Sequence, residues 1–392
     1  MDPLLAVLTC AVIYALGDYI SNKSKAMLPM LFVSGFLLLL GFWTILPTTL
    51  LEDTGLFSAS ILFAPMFVVH LGTMLNLDEM KKEYKTVIIA LSAVVVIAIL
   101  LFLVGSWIIG QQYAASAAGP ITGGLVAVLI VQETAGAMGL DNIAIFVTVL
   151  FVLQLFVGLP IAAACLSKEA GIAIEQYRSR GGETDLVNTD AMAASKPKWQ
   201  LFRATPKDLQ TPFILLMKLL MITWLALYCA DLMGGAINKF VVALLLGILF
   251  KELGFLEAKI LDKANGSGLT LFMLFLLVYW YLPKATPDAL LSMIFPIVVV
   301  FALGIIAVAL TAFAMSKIFG YSWRLCMAIG ISCMFGFPGT YIIPEEVAKA
   351  HGKNDEERNY LLGLFLPKML VAGFITVSIA SVFVSSFMVK FL

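Results

Sequence analysis

The chain has 392 residues, of which 61% are hydrophobic and only 13% are charged, and its formal net charge at pH 7 is zero. Soluble globular domains carry about 25% charged residues, so this composition predicts an all-α, polytopic membrane protein whose main surroundings are the lipid bilayer. The balanced charge and the lack of a Gly-rich phosphate loop after a strand-like run argue against nucleic-acid and nucleotide partners.

Ten apolar runs are candidates to cross a hydrocarbon core of about 30 Å, which takes roughly 17–25 helical residues. Residues 167–211 have little apolar content and contain Arg-Gly-Gly and Lys-Pro-Lys, which predicts a linker between a first unit, 1–166, and a second unit, 212–392. The candidate spans lie near residues 3–20, 27–50, 57–77, 86–110, 143–166, 212–231, 236–250, 268–282, 287–316 and 360–389.

Two further segments, 117–141 and 325–350, begin as apolar runs and then break into Gly, Pro and polar residues. The first reads AGPITGGLVAVLIVQETAGAMGLDN from Ala118, and the second reads GISCMFGFPGTYIIPEEVAK from Gly330. Irregular backbone persists at membrane depth only where protein or an aqueous cavity covers it, so we expect both segments to be re-entrant hairpins. Each half then has four spans, one hairpin and one more span, and this repeated order is typical of transporters with an internal repeat.

The distribution of Lys and Arg favours this re-entrant arrangement. If both segments are hairpins and the N-terminus is outside, only Lys239, Lys284 and Lys390 among the loop cations lie outside. If both segments cross fully, more cations lie outside than inside, against the enrichment of cytoplasmic loops in Lys and Arg. We therefore expect two inverted five-span repeats, with both termini outside and the 167–211 linker in the cytoplasm. The first hairpin enters from outside and the second from the cytoplasm.

Opened backbone at membrane depth is where we expect a solute to bind. Helix N-termini direct partial positive charge at anions, and freed carbonyls coordinate cations. The candidate substrate-binding residues are Thr122, Gly123, Gly124, Ser332, Gly339, Thr340 and Lys368. The candidate cation-binding residues are Gln132, Glu133, Thr134 and Glu345.

Simpler interpretations remain open for several of these residues. The glycines can mark close helix packing, and Glu345 and Glu346 can be solvated beside Lys349 at the cytoplasmic interface. Lys368 lies in an apolar span, at the place that Gln154 occupies in the first half. It either pairs with a hairpin carboxylate, binds an anionic substrate, or reaches to the interface.

Two stretches resemble a known family. The sequence from about Ile305 through GFPGTYIIPEEVAKAHGKNDEERNYLLGLFLPKMLVAGFITVSIASVF resembles the C-terminal half of the bacterial glutamate:sodium symporter family, within the inverted-repeat ion and anion transporters. AGPITGGLVAV resembles the opening of that family's first re-entrant segment. The resemblance implies two inverted five-span repeats, a homodimer with scaffold and transport domains, sodium coupling and elevator-type movement. This chain has VAVLIVQETAG where the family carries a Gly-Gly-His-Gly-type run, so the substrate and the cation stay open.

The leading hypothesis is a secondary active transporter of a small organic anion, such as the amino acid glutamate or a dicarboxylate, coupled to sodium. The alternatives are a cation/proton antiporter, in which Glu133 or Glu345 with Lys368 binds the proton, and a channel-like membrane protein. We do not expect an enzyme, because no catalytic His or Ser constellation is evident. The five cysteines and two histidines lack metal-ligand spacing, so we expect no cofactor and no metal other than the coupling sodium.

Overall fold

The structure is a computed structural model that describes residues 1–23, 30–74, 77–179, 201–202, 206, 209–233, 237–336 and 339–392. These residues form helices and no β-strand, and eight of the helices within them are long and apolar enough to cross a membrane. The prediction of an all-α, multi-pass membrane protein is thereby confirmed.

Helices α1–α10 make up the first half. They are α1 Pro3–Lys23, α2 Met30–Thr44, α3 Leu50–Asp53, α4 Phe57–Met74, α5 Leu77–Lys82, α6 Tyr84–Leu100, α7 Ser106–Ile109, α8 Gln111–Ala118, α9 Leu125–Ala137 and α10 Asp141–Ser179. A π-helical turn, Leu101–Gly105, joins α6 to α7.

Helices α11–α19 make up the second half. They are α11 Pro212–Leu232, α12 Lys239–Glu252, α13 Ile260–Lys263, α14 Ser267–Val278, α15 Pro287–Phe319, α16 Trp323–Ile331, α17 Gly339–His351, α18 Asp355–Phe374 and α19 Ser381–Met388. A second π-helical turn, Ile375–Ala380, joins α18 to α19.

Two of the ten predicted spans are too short to cross the core, and a third, near 268–282, reaches 18 residues only because α14 continues through turns to Lys284. The span predicted at 27–50 contains α2, of 15 residues, and the one predicted at 236–250 corresponds to α12, of 14 residues. At about 1.5 Å per residue, each helix is shorter than the roughly 30 Å hydrocarbon core. Residues 24–29 and 234–236, beside their starts, lie outside the described ranges.

The predicted linker begins later than its composition indicated. Helix α10 continues without interruption to Ser179, because residues 170, 173 and 174 remain buried on one of its faces. Near its end the ring of Tyr177 stacks on that of Tyr360, and Arg178 makes a bidentate ion pair with Glu357. Residues 167–179 are therefore helical, and residues 180–200 of the predicted linker lie outside the described residues.

Several helix starts in the second half follow directly from local sequence. Thr211 and Thr286 each precede a proline, and their hydroxyls accept hydrogen bonds from backbone amides three residues later. Ser322 does the same for α16, where its Oγ accepts from the Leu325 amide at 3.1 Å. Threonine and serine before a helix accept hydrogen bonds from amides that have no partner within the helix. Proline at the first helical position loses no hydrogen bond, because the amide there has no helical partner.

Buried side chains form two hydrophobic clusters, each containing helices from both halves. The first contains α6, α8–α10 and α15–α19, and we call it the broken-helix bundle because both predicted hairpin segments belong to it. The second contains α1–α4 and α11–α14, and we call it the straight-helix bundle. Helices α9 and α19 lie between them. Val128 and Val131 of α9 pack in the first cluster, whereas Leu129 and Ile130 of α9 and Val382 of α19 pack in the second.

The two termini of the chain lie at one face of the molecule, which we call the terminus face. A series of contacts between helix ends defines it: the Met1 ammonium with Asp53 (2.7 Å), Trp43 Nε1 with the Ala285 carbonyl (2.7 Å), Lys284 with Asp141 (2.7 Å), and Gln111 Nε2 with the Phe391 carbonyl (3.0 Å). The end of α10 and the start of α18 meet at the opposite face through Arg178 and Glu357, and we call that the linker face.

Glycines allow α4 and α12 to cross at very short range. A Cβ added at Gly72 would lie 2.7 Å from the Leu244 oxygen and the Ile248 nitrogen. A Cβ added at Gly247 would overlap the carbonyl oxygen of Val69. Small residues at helix crossings let backbones approach closely, which is the main source of packing energy between helices in a bilayer.

We expect Gly247→Ala to destabilise the protein by about 1–3 kcal/mol, because the added methyl group meets backbone atoms that cannot move independently. Thermal unfolding in detergent measures the effect. The matched control is Gly268→Ala, since a Cβ there meets nothing within 4 Å and the site is already helical. Equal unfolding temperatures for the two variants would contradict the α4–α12 crossing.

Candidate functional site

The first predicted hairpin segment is a helix broken at Gly119–Gly124. Helix α8 ends at Ala118, Pro120–Thr122 form a 3-10 turn, and α9 begins at Leu125. Thr122 Oγ1 donates to the Gly119 carbonyl at 2.6 Å, which closes the turn. Gly123 then adopts φ 86° and ψ 4°, the left-handed conformation that favours glycine.

The second predicted hairpin segment breaks in the same way. Helix α16 ends at Ile331, Ser332–Met334 form a 3-10 turn, and α17 begins at Gly339. Ser332 Oγ donates to the Ile329 carbonyl at 2.6 Å, and Gly336 has φ 56°. Residues 337 and 338, which include Pro338, lie outside the described residues. Each break thus combines a 3-10 turn, a hydroxyl that bonds three residues back, and a left-handed glycine.

The two breaks contact each other in the middle of the broken-helix bundle. A Cβ added at Gly123 would overlap the carbonyl oxygen of Cys333, so the two backbones touch there. Ile121 of the first break and Met334 of the second both pack on Gly304 of α15, where an added Cβ would lie 2.7 Å and 3.1 Å from their side chains. All four break residues named here are buried.

Helix α10 contacts both breaks within one helical turn. With its amide nitrogen oriented toward the first break, Gln154 donates to the carbonyls of Pro120 at 3.0 Å and Ile121 at 3.1 Å. Gly158, four residues later, packs on Met334 and Phe335 of the second break. Gln154 therefore pairs the Ile121 carbonyl and adds a second hydrogen bond to the Pro120 carbonyl, which also accepts from the Gly123 amide at 3.0 Å.

The last span, formed by α18, the π-helical turn and α19, also contacts both breaks. Gly373 packs on Thr340, Val377 packs on Gly123 and Gly336, and Ser381 packs on Gly124. The π-helical turn Ile375–Ala380 lies at this height, and such turns occur frequently at functional sites.

One buried hydroxyl at the breaks has no hydrogen-bond partner. Thr340 is fully buried, and its Oγ1 bonds to nothing among the described residues. Leaving a buried hydroxyl unpaired costs about 1–3 kcal/mol, so a bound group that accepts or donates a hydrogen bond there would recover this energy. Among the described residues at the breaks, Thr340 is thus the buried hydroxyl whose hydrogen-bonding capacity is unused.

Helix ends supply the charge at the breaks. The C-terminal ends of α8 and α16 and the N-terminal ends of α9 and α17 all lie there. A helix end carries about half an elementary charge, negative at the C-terminus and positive at the N-terminus. The polar side chains placed here, Thr122, Gln154, Ser332 and Thr340, are neutral. The site can therefore attract an anion and a cation with fixed backbone dipoles.

The structure brings most of the predicted substrate-binding residues together. Thr122, Gly123, Gly124, Ser332 and Thr340 belong to the contacting breaks described above. Gly339 lies beside them, where an added Cβ would be 2.7 Å from Phe335 and 2.9 Å from Leu159. Their role in binding stays a prediction, and their proximity is an observation.

Lys368, the remaining predicted substrate-binding residue, has an ion-pair partner outside the two breaks. Its Nζ pairs with Glu83 Oε1 at 3.3 Å, and both side chains are largely shielded from solvent. Glu83 directly precedes α6 and also accepts from Thr86 Oγ1 at 2.9 Å. The carboxylate partner of Lys368 is thus at the start of another span and not in a hairpin segment.

The predicted cation-binding residues are separate from the breaks. Gln132 is buried, but its Nε2 donates to Thr148 Oγ1 at 2.7 Å and to the Val278 carbonyl at 2.9 Å. Thr134 donates to its own helix, at the Ile130 carbonyl. Since a helix rises about 1.5 Å per residue, Gln132 is about 12 Å along α9 from Gly124.

The two predicted cation-binding glutamates also have partners of their own. Glu133 pairs with Lys239 near the terminus face, and its side chain is 54% exposed. Glu345 pairs with Lys349 of the same helix at 3.1 Å and accepts a hydrogen bond from Tyr341 at 3.4 Å. Among the described residues no three His, Cys, Asp or Glu side chains cluster to hold a metal ion.

Sequence reasoning did not select four residues that line the breaks. Gln154 was visible as a polar residue in an apolar span, but its bonds to the Pro120 and Ile121 carbonyls were not. Gly304, Val377 and Ser381 carry no distinguishing signal, because small and apolar residues are common throughout the spans.

Comparison of the chain with known protein families and with curated proteins finds no match. The site is therefore interpreted from its own geometry.

We expect Gly123→Ala to destabilise the protein more than Gly320→Ala does. Both glycines are left-handed, with φ 86° and 72°, so each alanine costs about 1–2 kcal/mol of backbone strain. Only Gly123 also faces a neighbouring carbonyl, whereas a Cβ at Gly320 meets nothing within 4 Å. The additional overpacking costs about 1–3 kcal/mol and is measured by denaturant unfolding in detergent. Indistinguishable stabilities would mean that the breaks do not touch at Gly123.

Proposed function

We propose that this protein is a secondary active transporter that carries a small organic anion, an amino acid or a dicarboxylate, across a bacterial inner membrane together with sodium. The observation that carries the proposal is the contact between two broken helices beside the buried, unpartnered hydroxyl of Thr340. In transporters, discontinuous helices at membrane depth form the sites for the substrate and the coupling ion.

In this proposal each broken segment is a re-entrant hairpin, and contacts along α10 support the first one. The ring of Tyr113 in α8 lies 4.9 Å from that of Phe146, and Gln132 in α9 bonds to Thr148. The break between these arms instead reaches Gln154, further along α10. Both arms thus meet the same early part of α10, and the break lies deeper, as in a hairpin that enters from the terminus face.

The second hairpin enters from the linker face. Gly330 of α16 packs on Val308 of α15, and Met334, one turn on, packs on Gly304, so α16 runs back along α15 toward the centre. Helix α17 then returns, and its last residue, His351, bonds through Nε2 to Ser167 Oγ at 2.8 Å. Ser167 is nine residues past Gly158 on α10, in the direction of the linker face.

The order of elements supports an inverted repeat. Helices α1, α2, α4 and α6, the first broken segment and α10 have counterparts in α11, α12, α14 and α15, the second broken segment and α18–α19. The hairpins of the two halves would then enter from opposite faces. The Lys and Arg distribution favours an arrangement with the terminus face outside and the linker in the cytoplasm.

The proposed chemistry follows from the helix ends. Free amides in the first turns of α9 and α17, with the hydroxyls of Thr340, Thr122 and Ser332, would bind the anion. Carbonyls at the ends of α8 and α16 would bind the cation, for which hard oxygen ligands are suitable. Lys368, Gln132, Glu133, Thr134 and Glu345 remain predicted participants outside this central set.

Transport would proceed by movement of the broken-helix bundle along the straight-helix bundle. Each has its own buried cluster, so they can move as separate bodies while the breaks stay together. In this proposal the straight-helix bundle also forms the homodimer interface, and the protein is not an enzyme.

The test is solute-dependent stabilisation of the purified protein, followed by uptake into proteoliposomes. We expect one member of a panel of amino acids and dicarboxylates to raise the unfolding temperature in NaCl more than in KCl. A ligand at 100 times its Kd stabilises by about 2.7 kcal/mol. The same solute should accumulate in proteoliposomes when a sodium gradient is imposed.

We expect Thr340→Val to abolish this stabilisation and uptake while leaving the unliganded protein as stable as before, because it removes a hydroxyl that has no partner. The matched control is Thr223→Val, in the straight-helix bundle, whose hydroxyl already donates to the Leu219 carbonyl at 2.8 Å. Full solute binding by Thr340→Val would reject the central site. Proton release on cation addition without anion uptake would favour the cation/proton antiporter instead.

A further inference from the structure

Two ion pairs connect the two bundles at the terminus face. Glu133, near the end of α9, pairs with Lys239 at the start of α12 at 2.5 Å. Asp141, at the start of α10, pairs with Lys284, which follows α14, at 2.7 Å. Both acidic residues belong to helices of the broken-helix bundle, and both lysines belong to the straight-helix bundle.

Close packing lies between these ion pairs. A Cβ added at Gly136 of α9 would overlap the hydroxyl oxygen of Tyr281, so the tyrosine lies directly against the helix. Tyr281 also donates to the Gln132 carbonyl at 3.5 Å. Next to it, the rings of Trp280 and Phe57 stack with centroids 3.8 Å apart. The two bundles are thus joined by a tyrosine and flanking ion pairs.

A cavity of about 220 Å³ lies at this junction and has walls from both bundles. Leu129, Gln132 and Glu133 of α9 form one wall, and Ala64, Lys239 and Leu277 belong to the other. Because α9 packs mainly on α10 and α19, whereas the other wall belongs to the straight-helix bundle, the volume of the cavity must change if the two bundles move relative to one another.

The corresponding arm of the second break has different surroundings. Helix α17 packs mainly on α10 and α18 of its own bundle. Its residues Tyr341, Glu345 and Glu346 are half-exposed toward the linker side of the break. At the terminus face, by contrast, Tyr281 and the two ion pairs hold the start of α10 and the end of α9 against the straight-helix bundle.

We propose that the Glu133–Lys239 and Asp141–Lys284 pairs, with Tyr281 against Gly136, form a latch that closes the terminus-face route to the breaks. This inference rests on the proposed function, since it assigns a regulatory contact to the same transport cycle. Opening the latch would widen the cavity and extend it to the first break, and closing it would commit the site to the linker face.

The charges of the latch suit a contact that must open repeatedly. The four side chains are between 31% and 54% exposed, so each pair is weak and is screened by salt. A contact of this kind biases the two conformations without locking either one. Replacing both attractions by repulsions should change the ratio of closed to open molecules by about tenfold, equivalent to about 1.4 kcal/mol.

The test is a distance distribution between nitroxide labels at Met138 and Ile237, exposed residues on opposite sides of the latch. Non-natural amino acids carry the labels, which keeps the five native cysteines in the full-length protein. We expect mainly one short distance in the parent protein. In the charge-reversed variant Lys239→Glu with Lys284→Glu, the population of molecules with a longer distance should increase about tenfold relative to the population with the short one.

The charge-swapped variant adds Glu133→Lys and Asp141→Lys to that pair of changes, and it should restore the short distance. The matched control is Arg358→Glu, which reverses an ion pair with Asp355 inside α18 and should leave the distances unchanged. If charge reversal impairs folding, the neutral variant Lys239→Met with Lys284→Met replaces it. In the parent protein, raising KCl from about 0.01 M to about 1 M should increase the population with the long distance, because the Debye length falls from about 30 Å to about 3 Å. The neutral variant should not show this response.

The latch is rejected if charge reversal leaves the distances unchanged or if the charge-swapped variant stays open. These distances are recorded without solute, so they separate this inference from the proposed function. Charge-dependent opening in a protein that binds no anion would support the latch and reject the transporter. Anion uptake with distances insensitive to charge would do the reverse.

Discussion

A bilayer supplies no water to a broken helix, so the amides and carbonyls at a break must find partners within the protein. This constraint explains why the two breaks of this protein lie against each other. Gly123 presents a backbone without a side chain to the Cys333 carbonyl, and any larger residue would separate the two segments. Gln154 bonds to the Ile121 carbonyl and shares the Pro120 carbonyl with the Gly123 amide, so that both oxygens at the break have partners.

The surrounding helices follow from this central contact. Helix α10 must present a hydrogen-bonding side chain to one break and a small residue to the other, and it does so with Gln154 and Gly158 one turn apart. The last span meets the same breaks through Gly373, Val377 and Ser381, and its helical geometry changes to a π turn at that height. Among the described residues that form the breaks, Thr340 is the one whose buried side-chain hydroxyl has no partner, which is why we assign the solute to it.

Local sequence determined much of this architecture and left its long-range contacts undetermined. The two interrupted segments were recognisable from Gly119, Gly123, Gly336 and Gly339, because glycine and proline at membrane depth have few explanations other than a break. Helix starts were encoded by residues such as Ser322. The partner of Lys368 was not predictable, since Glu83 is 285 residues away and many carboxylates were available. Gln132 was predicted to bind a cation, and its bonds to Thr148 and to the Val278 carbonyl, 146 residues away, were not encoded locally. Helix α10 extends past residue 167 because tertiary packing covers an otherwise polar stretch.

The central claim is that the two broken segments are hairpins that enter from opposite faces and meet at their breaks. Side-specific labelling with a membrane-impermeant maleimide tests it most directly, using single cysteines at Gln111, Met138, Tyr321 and Lys353 in oriented vesicles of a chain whose native cysteines are replaced. The account predicts that positions 111 and 138 react from one side of the membrane and positions 321 and 353 from the other. Reaction of positions 111 and 138 from opposite sides would show that the first segment crosses the membrane and would contradict the account.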